Sequence, residues 1–208
     1  RAVAIVDTAR RQLDLRQLVL RTGGLTARGG LHVGDWSRPS QDLAAEIDLA
    51  GETGPLVALG RAAGLLAGDL DIRGRVRAGG TVAAAGDRPP RTELEVELDN
   101  AEVLSGGRRL FRERQLRCEV QSEGLFAPGQ EVRLPAVRLR SALVQGDGAG
   151  RVRRGEPAVL ELQGRLTPDL SLLGDPLTAA IGQQIRLGGK SPAAFRLSWP
   201  LRLPLNAA

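Results

Sequence analysis

The sequence predicts a mainly β, antiparallel fold, and two observations lead to that prediction. Apolar and charged residues alternate along many short runs, as where Leu94, Val96 and Leu98 alternate with glutamates. Successive side chains of a strand point to opposite faces, so this alternation puts an apolar row on one face and a charged row on the other. The 27 glycines and 12 prolines make turns frequent. Together they indicate about a dozen strands joined as consecutive hairpins.

Glycine- and proline-containing turns separate these runs. Turns are predicted at 22–24, 78–80, 105–107 and 127–130, each between two alternating runs. The third of them closes a long hairpin of residues 92–103 and 109–125.

Two segments have helical periodicity instead. Residues 54–66 space their apolar side chains as on one face of a helix. Those positions are Leu56, Leu59, Ala63 and Leu66. Residues 167–183 begin with Thr167, a capping residue, and Pro168 at the first helical position. The sequence therefore predicts two short amphipathic helices.

An internal repeat organises the chain. Eight residues of the segment from Leu13 to Val33 match residues of the segment from Val132 to Val152 at a constant offset of 119 positions. A third strand then matches at an offset of 113, which pairs Ile47 with Leu160. Each copy is predicted as three strands, a helix and a fourth strand. Copy one covers about 12–78, a hairpin insert about 79–130, and copy two about 131–203.

Both copies contain the same irregularity in their first strand. The spacing slips from two residues to three between Leu15 and Leu18, and again between Leu134 and Val137. A slip of one residue would turn every later side chain to the other face. The same slip in both copies therefore predicts a β-bulge at this position.

The composition favours one domain over residues 1–208, and we interpret the chain as an excerpt of a longer protein. Hydrophobic residues make up 42%, there is no methionine, and the first residue is Arg1. No stretch approaches the roughly 20 apolar residues of a membrane helix. The single cysteine excludes an internal disulfide framework.

The basic charge does not indicate a nucleic-acid partner. The net charge is +5, and Lys190 is the only lysine among 29 basic residues. The arginines alternate with apolar residues, and aromatic residues, the usual base-stacking platforms, are only 2%. We therefore expect the arginines to form the solvent-facing rows of strands.

No catalytic, metal or cofactor site is predicted. His32 is the only histidine and is expected on a strand surface, while Cys118 is expected as a small core residue. The carboxylates from Glu93 to Asp99 are expected to be solvated charges, with a glycosidase-type pair as the enzymatic alternative.

The repeat resembles those of AsmA-like and TamB-like bacterial envelope proteins, in their C-terminal regions. LDLRQLVLRTGGLTARGGLHV, AEIDLAG and GDLDIRGRV carry the resemblance in copy one, and VRLPAVRLRSALVQGDGAGRV and VLELQGRLTPDLSLL carry it in copy two. The closing FRLSWPLRLPL resembles the end of such a repeat, with Ser-Trp-Pro where Gly-Pro is usual.

The resemblance implies a fold and a function. Members of this family are anchored in the bacterial inner membrane by an N-terminal helix and extend into the periplasm. Their repeats form a long, curled, taco-like β-sheet with an apolar inner groove. They are not enzymes, and they carry phospholipid between membranes or assist outer-membrane assembly. The expected partners are a phospholipid or another acyl-chain lipid, and an outer-membrane or envelope protein.

The candidate lipid-groove residues are the apolar rows of the predicted strands. They are Leu13, Leu15, Leu18, Leu20, Leu94, Val96, Leu98, Leu116, Val120, Val132, Leu134, Val137, Leu139, Leu160 and Leu162. Two short helices are too few to cover a sheet of about a dozen strands. The sheet then either stays partly open as a lipid groove or closes into a core. The closed form would be a structural or protein-interaction domain of the periplasm, whose edge strands bind a partner strand.

Overall fold

The described part of the chain folds into eleven strands and a short helix. The computed structural model describes residues 2–38, 41–62, 66, 68–86, 88–125, 131–155, 157–172 and 188–201. The elements are β1 (Val3–Asp7), β2 (Gln12–Thr22), β3 (Leu25–Val33), β4 (Asp42–Glu52), α1 (Gly54–Ala62), β5 (Leu70–Ala85), β6 (Arg91–Ser105), β7 (Arg108–Glu123), β8 (Glu131–Ser141), β9 (Val144–Arg153), β10 (Ala158–Pro168) and β11 (Ala193–Leu201). Residues 170–172 are also helical.

All eleven strands form one antiparallel sheet in which the spatial order is the chain order. Each strand pairs with the strand before it and the strand after it, as consecutive hairpins do. In the described residues β1 and β11 pair on one side only, so the sheet is open. The predicted mainly β, antiparallel class with short helices is confirmed, and so is the long hairpin, which is β6 and β7.

The repeat has a structural counterpart. Copy one supplies β2, β3, β4, α1 and the first half of β5, and copy two supplies β8, β9, β10, the helical residues 170–172 and β11. The β2–β3 register shifts between Leu15 and Leu18, and the β8–β9 register shifts between Leu134 and Val137. The predicted bulge is therefore confirmed in both copies.

The predicted match of the third strands is displaced by four residues. Gly29 pairs with Ile47 in copy one, whereas its counterpart Gly148 pairs with Gly164 in copy two. The structural offset from β4 to β10 is thus 117, not 113. A displacement of four residues keeps every side chain on its face, because the strand period is two. Alternation alone could not distinguish these registers.

The turn predicted at 78–80 is wrong. Gly79 and Gly80 lie inside β5, opposite Asp48 and Ile47 of β4. The boundary between copy one and the insert therefore falls within a strand. The turns predicted at 22–24 and 105–107 are confirmed, with Gly23 and Gly106 at positive φ. Residues 127–130 lie outside the described residues.

The helix predictions need two corrections. In α1 the buried residue is Val57, while Leu59 is 63% exposed, so the helix turns a different side to the sheet. Thr167 and Pro168 are the last residues of β10, and not a helix start. Asp169 takes the capping role, since its Oδ1 accepts a hydrogen bond from the Ser171 amide (3.2 Å). The rest of the predicted second helix, 173–183, lies outside the described residues.

Buried apolar side chains lie mostly near the ends of strands. Leu25 and Val33 begin and end β3, Ala84 lies near the end of β5, and Val132 lies near the start of β8. The middle of the sheet is covered much less. The turns and α1 thus shield the ends of the apolar face and leave its centre open.

Candidate functional site

The candidate site is a continuous apolar face on one side of the sheet. Residues directly opposite each other on neighbouring strands share a face. One such row crosses ten strands from β2 to β11 and contains only apolar residues and glycine. This central row is Leu18, Gly29, Ile47, Gly80, Leu94, Val120, Val137, Gly148, Gly164 and Phe195.

A second row runs beside it across the same strands. It consists of Leu20, Ala27, Leu49, Ala78, Val96, Cys118, Leu139, Gly146, Leu166 and Ala193. The central row and this second row form the middle of what we call the apolar face. Neither contains a charged residue.

The centre of the apolar face is exposed to a degree that is unusual for large aliphatic side chains. Leu20 is 58% exposed, Ile47 51% and Leu94 41%. The exposed apolar surface continues onto β11, where Trp199 lies opposite Leu160 and is 60% exposed. No layer of the described structure covers these side chains.

The structure brings all fifteen predicted groove residues to this face. Val132 and Leu134 are buried, at 4% and 8%, and Leu20 and Leu94 are exposed. The other eleven are half-buried: Leu13, Leu15, Leu18, Val96, Leu98, Leu116, Val120, Val137, Leu139, Leu160 and Leu162. They share this face because side chains alternate along each strand and because the bulges after Leu15 and Leu134 restore the alternation.

The prediction missed a notch at the centre of the face. A Cβ placed on Gly80 would lie 3.5 Å from Leu94 Cδ1 and 3.6 Å from Ile47 Cγ2. Gly80 is thus a gap flanked by two exposed aliphatic side chains. Ile47 is one of the residues that match in the repeat, whereas Gly80 falls in the turn that the sequence predicts at 78–80. Trp199 was also missed, although it alternates with Leu197 and Leu201.

Cys118 belongs to the apolar face and is half-buried. Desolvation raises the pKa of its thiol, and the nearby Glu119 carboxylate raises it further. The thiol is therefore neutral at ordinary pH and serves as a small apolar side chain.

The opposite face is charged and laced with ion pairs. Arg77 contacts Glu97 (3.5 Å) and Asp99 (2.8 Å), and Arg117 contacts Glu95 (3.0 Å). These carboxylates lie on the solvent face, as expected, and each also pairs with an arginine there. Exposed pairs of this kind contribute little stability each, but they keep the face polar.

In copy two, Glu161 is held by two arginines on this charged face. Arg151 Nε lies 2.7 Å from Glu161 Oε2, and Arg153 Nη2 lies 2.5 Å from Oε1. The hydrogen bond from Arg151 is the main reason that the pKa of Glu161 lies below its ordinary value.

A cavity of about 1060 Å³ lies on the charged face between β3 and β8. Its lining includes Arg28, Asp48, Thr81, Glu93 and Arg138. The resemblance implies an apolar inner groove, but this concavity has a charged lining. The apolar face lies on the other side of the same strands. Sheet curvature decides which face is concave, and alternation does not encode it.

The described part of the chain brings together no group of three or more His, Cys, Asp or Glu side chains that could hold a metal ion. His32 is half-buried in β3 on the charged face, between Asp14 and Ala44.

The architecture defines an open, antiparallel, repeat-built sheet with one apolar and one charged face. Comparisons with protein families, with characterised proteins and with solved structures found no match to the chain. Among the described residues, no helix has the length and apolarity needed to cross a membrane.

Proposed function

We propose that the chain is a non-enzymatic segment of an AsmA-like bacterial envelope protein that holds acyl chains on its apolar face. The observation that carries this proposal is the central row, which stays apolar or glycine across ten strands while Ile47 and Leu94 are half exposed. The parent protein would be anchored in the inner membrane and extend into the periplasm. It would move phospholipid between membranes or assist outer-membrane assembly.

The physical argument is the cost of leaving such a face in water. Contiguous apolar patches above roughly a few hundred Å² mark binding surfaces. An acyl chain gains about 0.8 kcal/mol per CH₂ that it buries. The notch at Gly80, between Ile47 and Leu94, offers a depression in which a chain gains contacts on two sides.

A second candidate function is strand-mediated protein binding. β1 and β11 each have one edge without a partner in the described residues, and such edges can accept a strand from another chain. The closed-core form of this alternative conflicts with the open sheet. The edge-binding form needs only the edges and predicts no bound lipid.

Lipid extraction and mass spectrometry of the purified chain separate the two. The wild type is expected to carry phospholipid near stoichiometrically, and an Ile47→Asp/Leu94→Asp variant is expected to lose it. Both side chains are exposed, so the charges add little folding cost. Leu134→Asp/Val137→Asp is a poorer choice, because Leu134 is buried.

The matched control is Ala50→Asp/Gln145→Asp. These exposed residues lie on β4 and β9, on the charged face, directly opposite Arg77 and Arg140. The control adds the same charge and should keep its lipid. A folded wild type without lipid, or equal loss in both variants, would contradict the proposal and favour edge binding.

A further inference from the structure

The end of the β6–β7 hairpin, residues 101–114, has an excess of positive charge. We call this segment the hairpin tip. Its four arginines are Arg108, Arg109, Arg112 and Arg114, and its two acids are Glu102 and Glu113. Glu102 is paired with Arg109 (3.2 Å), and Glu113 is buried, where it accepts a hydrogen bond from the Leu143 amide (3.2 Å). The segment thus carries a net charge of +2 by sequence, and Asp69 of the preceding strand connection adds one carboxylate beside it, which accepts a hydrogen bond from Ser105 Oγ (2.5 Å).

A bulge displays a leucine among these arginines. Val103 pairs with Phe111 and Leu104 pairs with Arg109, so Leu110 is an extra residue without a partner in the ladder. Leu110 is 49% exposed. Arg109 directly before it and Arg112 two residues after it are exposed.

The hairpin tip also projects from the sheet. β7 pairs with β8 only from Leu116 onward, so within the described residues the tip has no strand beside it on that side. α1 lies at the same end, since Arg61 Nη2 donates to the Leu70 carbonyl (2.6 Å) and Leu70 pairs with Ser105. Leu59 of α1 adds a second exposed leucine there, at 63%.

We propose that the hairpin tip docks the protein on an anionic lipid bilayer surface. Leu110 enters the interfacial layer, and the arginines contact lipid phosphates. The charge favours this occupant, because arginines near an anionic surface each strengthen binding by about fivefold. The docking does not require that the apolar face carries lipid.

The opposite end of the sheet lacks this combination. Trp36 is 41% exposed there, its amide donates a hydrogen bond to the Arg11 carbonyl (2.9 Å), and two arginines of this end, at 10 and 38, each lie near a carboxylate. Arg38 lies 3.8 Å from Asp35, and Arg10 lies 3.9 Å from Asp7. This end therefore provides a control for nonspecific charge effects.

The test is flotation of the full chain with phosphatidylcholine vesicles, with and without phosphatidylglycerol. Wild type is expected to float only with the anionic vesicles. Arg112→Gln/Arg114→Gln should weaken binding about tenfold or more, and Leu110→Ser about threefold. Arg10→Gln/Arg38→Gln removes the same charge at the other end and should bind as wild type does. Circular dichroism checks that each variant is folded.

The apolar-face variant Ile47→Asp/Leu94→Asp separates docking from lipid carriage, and it is expected to float normally. Loss of flotation in that variant with unchanged binding in the tip variants overturns the docking proposal. So does equal loss in the two arginine pairs, which would indicate nonspecific attraction. Failure of the wild-type protein to float with anionic vesicles also overturns the docking proposal. An acidic protein surface then becomes the better partner for the arginines.

Discussion

The glycines of the apolar face have different surroundings in repeat copy two and at Gly80, which lies on β5 just beyond copy one. In copy two, backbone and side chains of the next strands fill the glycine positions: a Cβ on Gly148 would lie 2.8 Å from the Gln163 carbonyl oxygen and 3.3 Å from Phe195 Cζ, and one on Gly150 would meet the Glu161 carbonyl oxygen and lie 2.8 Å from Leu162 Cδ2. At Gly80, near copy one, the flanking side chains stand back at ordinary contact distance and remain exposed.

This difference distinguishes a self-filled surface from an open one. In copy two the protein covers its own notches, so glycine there permits close packing within the sheet. At Gly80 the notch has no protein side chain in it. The same residue type therefore serves packing in one region and leaves room for a ligand in the other.

The largest expected loss of stability comes from filling a glycine position in copy two. Gly150→Ala puts a Cβ within 2.8 Å of Leu162 and 3.0 Å of the Glu161 carbonyl carbon, so strand backbone must move. We expect a loss of about 1–3 kcal/mol in the free energy of unfolding, measured by urea denaturation. Gly80→Ala is the control and should stay within about 0.5 kcal/mol of wild type. Equal losses in the two variants would refute the distinction between filled and open notches.

The next effect concerns the junction after the third strand. In copy one, buried Thr53 donates from Oγ1 to the carbonyls of Ile72 (2.7 Å) and Gly74 (3.2 Å). Thr53→Val keeps the shape and removes these bonds, which should cost about 1 kcal/mol in thermal or urea unfolding.

Copy two provides the control at this junction, because its nearest hydroxyl, Ser171, is exposed and bonds only locally to Asp169. Ser171→Ala should change stability by less than about 0.5 kcal/mol. Thr53 directly precedes α1, so its bonds tie the start of the helix to β5. If the Thr53 variant is as stable as the Ser171 variant, these bonds do not contribute to stability.

The two bulges should respond to glycine with opposite signs. Gln17 of copy one has φ of 54°, whereas its counterpart Ala136 has a negative φ. Gln17→Gly removes left-handed strain and should stabilise by up to about 1 kcal/mol. Ala136→Gly only adds backbone freedom to the unfolded chain and should destabilise by about 0.5–1 kcal/mol. Denaturation midpoints that shift in the same direction would contradict this difference between the bulges.

The sequence predicted features that depend on periodicity. Alternation placed all fifteen groove residues on one face, and the repeated slip located both bulges, because each extra residue changes parity. The β4–β10 match was four residues out, because an even displacement leaves parity unchanged. Local pattern therefore determines the face of a side chain and not its register.

Features that depend on contacts with other strands could not be predicted from the local sequence pattern. Gly79 and Gly80 resemble a turn in isolation, but β4 and β6 pair along them and hold them in a strand. Val57 is buried in place of Leu59, because the sheet beneath α1 decides which side of the helix is covered. The charged cavity follows from the shape of the whole sheet.

The smallest expected effect lies on the charged face of copy two. Hydrogen bonding from Arg151 holds the pKa of Glu161 below its ordinary value of 4.5, with Arg153 adding to the effect. A depressed carboxylate pKa stabilises the folded state at pH above the unfolded pKa, and that contribution is lost as pH falls through the folded pKa. Glu161→Gln should therefore be less stable than wild type near neutrality, and the difference should shrink on acidification below about pH 4.

Glu93→Gln is the control for this pH dependence. Glu93 lies on the same face but has no ion pair or hydrogen bond within the described part of the chain. Urea unfolding at a series of pH values should show a gap to wild type that closes with acid for Glu161→Gln and no comparable change for Glu93→Gln. Because the Glu161 pairs are at the surface, added salt should narrow the gap near neutrality. A gap that persists unchanged in acid and in salt would assign the loss to packing around residue 161, and the ion pairs would then serve only to keep this face polar.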